Sequence, residues 1–135
     1  MRLKLKMQFR VSLLLLTAFA LTSLSAEDRY CFENDGLKYK DTVRFRVKAN
    51  RIFKGHFIRS AYDGSGEKEM KFTGTKTGTV LTIEPKGKII YEKAKGEDII
   101  LWSLKKQVLS IPLYGKNHTT GKYSNYDATF VKCKP

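Results

Sequence analysis

The sequence predicts an all-β fold, a small antiparallel β-barrel or sandwich of about eight strands in one domain, residues 27–135. Apolar and polar residues alternate along several short segments, which is the period-2 pattern of half-buried strands. Turn-forming residues separate these segments at intervals of about ten residues, the spacing typical of a sandwich or barrel. No segment has a long apolar stripe at the 3.6-residue spacing of an amphipathic helix.

Residues 1–26 have the features of a secretory signal peptide. Basic residues precede the apolar run 11–21, which is shorter than the about 20 residues needed to span a bilayer. Small and polar residues follow and end at Ala26. We expect cleavage after Ala26 and a secreted or periplasmic protein whose mature chain has no transmembrane segment. An uncleaved N-terminal anchor is the alternative.

The clearest strand is predicted at 42–48, where Val43, Phe45 and Val47 alternate with basic residues. A turn follows, and a second strand is predicted at 52–62, with Phe53 and Phe57 on one face. The segment 63–66, Asp-Gly-Ser-Gly, is a strong hairpin turn because these residues readily adopt positive φ.

Further strands are predicted at 69–75, 80–84, 88–92, 99–104, 108–113 and 128–132. The segment 99–104 is a continuous apolar run, so periodicity alone does not distinguish a strand from a helix capped by Asp98. Its β-branched content and the Ser-Ile-Pro segment that follows favour a hairpin. The predicted core comprises Val43, Phe45, Val47, Phe57, Phe72, Leu81, Ile83, Leu101, Ile111 and Phe130.

The two cysteines, Cys31 and Cys133, lie near the two ends of the exported domain. In an oxidising compartment a lone pair of cysteines is expected to form one disulfide. The spacing matches no CxxC motif, and two ligands do not make a metal site. We therefore predict a structural disulfide that joins the chain ends, and neither a metal nor a cofactor.

A long loop is predicted between the last two strands, from 114 to 127. Binding residues often lie on such loops, and tyrosine combined with lysine offers a flat contact surface with positive charge. The alternative is a surface loop whose tyrosines pack against the barrel. Asn117 begins an Asn-His-Thr glycosylation sequon. The candidate binding residues are Tyr114, Lys116, His118, Lys122, Tyr123 and Tyr126.

The exported domain is strongly basic. The chain has 26 Lys and Arg against 13 Asp and Glu, and four of the basic residues precede residue 26, so 22 against 13 leaves a net charge of +9. Such a charge favours an anionic polymer, a glycan or a lipid head group as the binding partner. The alternative is that the charge serves only solubility. A protein partner remains open. Nucleic acid is not expected, because no run of five or more like charges is present.

No motif predicts a catalytic activity, so we do not expect an enzyme. The sequence has no GxSxG elbow and no phosphate-binding glycine loop. His56 and His118 are the only histidines, and one falls in a predicted strand and the other in a loop. A histidine pair able to cleave RNA would require these two to meet.

Tyr30 and Cys31 open the domain, Cys133 closes it, and the segment 60–66 contains serine and glycine. In these features the sequence resembles bacterial lysozyme inhibitors of the small-barrel type. The resemblance implies a loop at 60–66 that enters an enzyme cleft, but an inhibitor of basic lysozymes is expected to be acidic, and like charge weakens binding.

Three functional hypotheses follow. The leading one is an exported, non-catalytic binding module for an anionic or glycan component of an envelope or matrix. The second is a protein-binding inhibitor that uses the segment 60–66. The third is a small lipocalin-like carrier, since an eight-stranded barrel is either filled or holds one small ligand.

Overall fold

A computed structural model describes residues 26–135. The predicted signal peptide, except for its last residue, lies outside these described residues. Within them the chain forms eight antiparallel strands that close into a barrel in sequence order. The strands are β1 (Asp28–Asp35), β2 (Tyr39–Lys48), β3 (Arg51–Ala61), β4 (Glu67–Thr77), β5 (Val80–Lys86), β6 (Ile100–Lys105), β7 (Val108–Lys116) and β8 (Tyr123–Lys132).

The predicted fold class is confirmed, but two strand predictions were wrong. The segment 28–35 forms β1, for which no strand was predicted, and the predicted strand 88–92 lies in the connection between β5 and β6. Gly87 and Gly96 flank that connection with φ of 99° and 86°, conformations that end a strand. The connection instead places Tyr91, only 5 % exposed, over the core.

Short turns close one end of the barrel and longer connections the other. The β2–β3 and β6–β7 turns contain two residues each, Ala49–Asn50 and Lys106–Gln107, all at positive φ as in type I′ hairpins. Because neighbouring strands are antiparallel, the connections 36–38, 62–66, 87–99 and 117–122 converge at the opposite end. We call these the turn end and the loop end.

Aromatic side chains fill the barrel. Phe72 and Trp102 meet edge to face at 5.1 Å between ring centroids, and Phe57 stacks on Tyr91 at 5.0 Å. Of the predicted core, only Leu101 was wrong: it is 44 % exposed because Ile100, Trp102 and Leu104 take the inward phase of β6. The core comprises Phe32, Val43, Phe45, Val47, Ile52, Phe57, Met70, Phe72, Leu81, Ile83, Tyr91, Ile100, Trp102, Leu104, Leu109, Ile111, Leu113 and Phe130.

A β-bulge interrupts β3. Between the pairs Arg46↔Phe53 and Arg44↔His56, β3 has one residue more than β2, and it has one more than β4 over the same stretch. Lys54 adopts a φ of 50° within this bulge. The extra residue changes the phase of the strand, so Ile52 is buried and Phe53, predicted to share the face of Phe57, is not.

The predicted disulfide is present. Cys31 and Cys133 are bonded, with their Cα atoms 5.4 Å apart. Beside them the barrel closes through a short β1–β8 seam, in which Phe32 faces Lys132 and Glu33 faces Val131. The amide of Cys133 donates to the carbonyl of Cys31 at 3.0 Å, so the disulfide reinforces the seam.

Candidate functional site

The predicted long loop 114–127 is mostly a β-hairpin. The strands β7 and β8 pair as far as Lys116↔Tyr123, so only residues 117–122 connect them. The side chain of Asn117 stabilises this turn, because its Oδ1 accepts hydrogen bonds from the amides of Thr119 and Thr120 at 2.9 and 3.2 Å. The sequence did not indicate this extension because tyrosines, glycines and polar residues are common in loops and also occur in exposed strand ends.

Tyr114 and Tyr123 form an aromatic pair on the outer face of this hairpin. Tyr114 follows the buried Leu113 and therefore points away from the core. Its ring stacks on that of Tyr123 with centroids 5.8 Å apart and planes 25° apart. Tyr123 is 61 % exposed, and Lys116 lies directly opposite it in the register.

Two residues that sequence analysis did not select complete this surface. The ammonium of Lys95 lies 4.8 Å from the ring centroid of Tyr114, a cation–π distance. Asn125, opposite Tyr114, accepts a hydrogen bond from the amide of Lys95 at 2.9 Å and donates one to its carbonyl at 3.0 Å. We call Tyr114, Tyr123, Lys95 and Lys116 the tyrosine platform; the signal for Lys95 lay in the tertiary fold, not in its local sequence.

The other predicted site residues lie apart from the platform. Tyr126 is opposite Leu113, on the other face of the hairpin, and its ring covers Gly115. It borders an open groove of about 390 Å³ together with His118 and Lys116. Lys122 ends the turn, where its carbonyl accepts a hydrogen bond from the amide of Asn117 at 2.8 Å. The structure thus divides the six predicted residues between two faces and a turn.

A partly buried ion pair lies inside the loop end of the barrel. Nε and Nη2 of Arg59 each donate to one carboxylate oxygen of Asp41 at 2.9 Å, and the ring of Tyr39 covers the guanidinium at 4.8 Å. These bonds raise the pKa of Arg59, and burial opposes the increase. Arg59, but not Asp41, borders an open pocket of about 300 Å³ together with Lys68 and Glu92.

The β3–β4 loop, 62–66, is exposed but internally bonded. The amide of Ser65 donates to Oδ1 of Asp63 at 2.8 Å, and hydrogen bonds from Ser65 hold the pKa of Asp63 below its usual range. The hydroxyl of Tyr62 donates to Asp35 at 3.1 Å. Ser60 lies in β3, where its hydroxyl donates to Glu67 at 3.2 Å, so it is not at the loop tip.

The two histidines lie in separate parts of the barrel. His56 is on β3, with its Nδ1 3.0 Å from Oε1 of Glu69, and His118 is in the β7–β8 turn, with β1 and β2 between these elements. No cluster of three or more His, Cys, Asp or Glu suited to a metal ion occurs within residues 26–135. The same part of the chain contains no helix long and apolar enough to cross a membrane.

Comparison of the chain with protein-family models, with curated proteins and with solved structures finds no match. The resemblance to lysozyme inhibitors therefore depends only on the chain ends and the β3–β4 segment.

Proposed function

We propose that residues 27–135 form an exported, non-catalytic binding module, and that the tyrosine platform binds an acidic glycan of an envelope or matrix. The observation that supports this proposal is the stacked pair Tyr114–Tyr123, held on paired strands between two lysines. An exposed tyrosine ring provides an apolar face with a polar edge, which suits the C–H face and the hydroxyls of a sugar.

The lysines select for acidic sugars. Lys95 is fixed beside Tyr114 by the backbone hydrogen bonds from Asn125, and Lys116 faces Tyr123 across the ladder. A carboxylate on a sugar that stacks on Tyr123 would therefore lie close to two ammonium groups. Because Tyr114, Lys116 and Tyr123 are on paired strands and the Lys95 backbone is held by Asn125, little conformational entropy is lost when a ligand binds.

The test is titration of the purified, oxidised protein with oligogalacturonate and with neutral dextran oligosaccharides. We expect oligogalacturonate to bind more tightly and to weaken as salt is added. Replacement of Tyr123 by alanine should weaken binding about twofold to twelvefold, since an aromatic contact contributes about 0.5–1.5 kcal/mol beyond its area. Tyr62→Ala is the matched control, because Tyr62 is 55 % exposed and lies in the β3–β4 loop, outside the tyrosine platform.

The proposal fails if Tyr123→Ala and Tyr62→Ala bind the oligosaccharide equally well. It also fails if affinity is unchanged after Lys116, Lys122, Tyr123 and Tyr126 are all replaced by alanine. Binding that persists at high salt with no preference for the acidic sugar would contradict the role of the two lysines.

A second candidate function, protein-binding inhibition, is favoured by the exposed β3–β4 loop with its internally bonded Asp63. A carboxylate held on a short loop suits a basic enzyme cleft. The test is inhibition of purified lysozymes by the wild-type protein and by a variant in which residues 63–65 are replaced by glycine. Equal inhibition by the two proteins would exclude the loop. The carrier hypothesis has no comparable support, because aromatic side chains fill the described barrel interior.

A further inference from the structure

A second positively charged surface lies on the outside of the first three strands. It is a groove of about 260 Å³ beside the β3 bulge. The groove, which we call the basic groove, is lined by Arg29, Tyr30, Arg44, Phe45, Arg46, Lys54 and His56. None of these residues belongs to the tyrosine platform, which lies on β7, β8 and the β5–β6 connection.

The bulge in β3 adds one cation to a face that β1 and β2 already make basic. Arg44 and Arg46 alternate outward along β2 between buried residues. Opposite them, the extra residue of β3 inserts Lys54 at positive φ between the registered partners Phe53 and His56. Bulges commonly redirect a side chain next to a functional site. Here the bulge adds a lysine to a face that already has two arginines.

A row of basic residues extends from the groove across the sheet. Arg44 is opposite His56, His56 is opposite Lys71, and Lys71 is opposite Lys86. Adjacent strands are about 4.8 Å apart, so the row extends over roughly 14 Å. Like charges directly opposite one another destabilise a sheet, so the pair Lys71–Lys86 is an unfavourable arrangement that the fold tolerates.

Few carboxylates offset this charge. Glu69 is engaged by His56 at 3.0 Å, and Glu27 lies 3.6 Å from Arg29 and 3.4 Å from Arg46. Glu84 is opposite Thr73, two residues before Lys86 along β5. Within residues 26–135, no carboxylate lies within salt-bridge distance of the three cations Arg44, Lys71 and Lys86.

We infer that the basic groove and the row formed by Lys71 and Lys86 bind a linear acidic polysaccharide, with one sulfate or carboxylate in the groove and further groups along the row. Single-stranded nucleic acid would require exposed aromatic rings for base stacking, and a membrane would require exposed apolar side chains. The exposed large hydrophobic residues lie elsewhere: Leu37, Tyr39, Tyr62, Val80, Ile99, Leu101, Tyr123, Tyr126 and Val131.

The test compares two variants with the same change in net charge. Arg44→Gln with Lys54→Asn removes two charges from the groove, and asparagine tolerates the positive φ at position 54. Lys105→Gln with Lys134→Gln removes two exposed charges at the turn end. The probe is dextran sulfate of low mass, with uncharged dextran as the neutral ligand, at low and at high salt.

We expect the groove variant to bind dextran sulfate about 25-fold more weakly at low salt, at about fivefold per charge near an anionic surface. The turn-end variant should stay within about twofold of wild type. Equal losses in both variants would show that net charge alone drives binding and would overturn the inference, and so would no loss in either.

Two further probes test the class of polymer. A DNA duplex or phosphatidylcholine–phosphatidylglycerol vesicles bound more tightly than dextran sulfate would overturn the assignment to a polysaccharide. Lys71→Gln should both weaken binding and raise the melting temperature, a combination that a merely structural lysine would not give. Tyr123→Ala should leave dextran sulfate binding in the groove intact, so failure of the groove and failure of the tyrosine platform are distinguishable.

Discussion

Loss of the disulfide should cost this barrel a large share of its stability. The perturbation is Cys31→Ser together with Cys133→Ser, which removes a link between residues 102 positions apart. The chain-entropy treatment gives about 4.7 kcal/mol for a loop of roughly 100 residues. Domains of this size are stable by about 5–15 kcal/mol, so we expect a loss of about 4–5 kcal/mol in the free energy of unfolding.

The seam makes the loss local as well as global. Besides the disulfide, β1 and β8 are joined by the two registered pairs of the short ladder and by the side chain of Asn34, which donates to the carbonyl of Thr129 at 2.8 Å. Without the disulfide, β1 and β8 can separate once these few hydrogen bonds break. Amide protons in β1 and β8 should therefore exchange earlier than those in β3 and β4.

The assay is urea denaturation followed by the fluorescence of Trp102, which is 1 % exposed and is the only tryptophan. The midpoint should fall, and the m-value should rise because an unlinked unfolded chain exposes more surface. Wild-type protein treated with a thiol reductant serves as the control and should give the same curve. A loss below about 1 kcal/mol would refute the argument that the link stabilises the fold by restricting the unfolded chain.

Three further substitutions test the packing. Asp41→Asn should lower the free energy of unfolding by about 3 kcal/mol. This is the lower end of the range for a broken buried ion pair, because the Arg59 side chain is 16 % exposed. A loss below about 1 kcal/mol in chemical denaturation would contradict this prediction. Gly74→Ala places a Cβ well inside van der Waals contact with the carbonyl oxygen of Thr82, so the β4–β5 ladder must separate. We expect the free energy of unfolding to fall by at least about 3 kcal/mol, or no folded protein by circular dichroism. Burial raises the pKa of Tyr91 in the folded protein. The stability that depends on the neutral Tyr91 hydroxyl is therefore fully present below about pH 10 and is lost as the pH rises through the raised pKa. Tyr91→Phe should therefore flatten the alkaline decline in thermal stability, and identical wild-type and variant slopes between about pH 9 and 11 would contradict this.

Strands with strict alternation could be predicted from the sequence. Val43, Phe45 and Val47 are all buried, because a period of two allows one register relative to the core. The strand β1 was missed because charged residues at 28, 29 and 33 surround the buried Phe32 and obscure a short alternation. The apolar residues at 89–91 suggested a strand, but they lie in a connection between two glycines at positive φ, and Tyr91 covers the core.

The continuous apolar run of β6 shows a different limit. Every residue of the segment from Ile99 to Trp102 is apolar, so the sequence does not show which of them face the core. Pairing with β5 sets the phase, since Trp102 is opposite the buried Leu81 and Leu101 is opposite Thr82. Information of this kind is in the neighbouring strand, and local periodicity cannot supply it.

The two candidate surfaces depended on tertiary structure in the same way. The choice of Tyr114, Lys116 and Tyr123 was possible from composition alone, but their pairing with Lys95 required the β5–β6 connection to return beside β7. The sequence showed the basic face of β2, but the groove as a whole had no local signal because its cations are spread over positions 29 to 54. The β1–β2 register places Arg29 opposite Arg46, and the extra residue of β3 adds Lys54. Deletion of Lys54 would therefore test the groove without changing the register: removal of the extra residue restores strict alternation from Ile52 to Phe57, so Ile52 should stay inward and Phe53 outward, and only the lysine of the groove is lost.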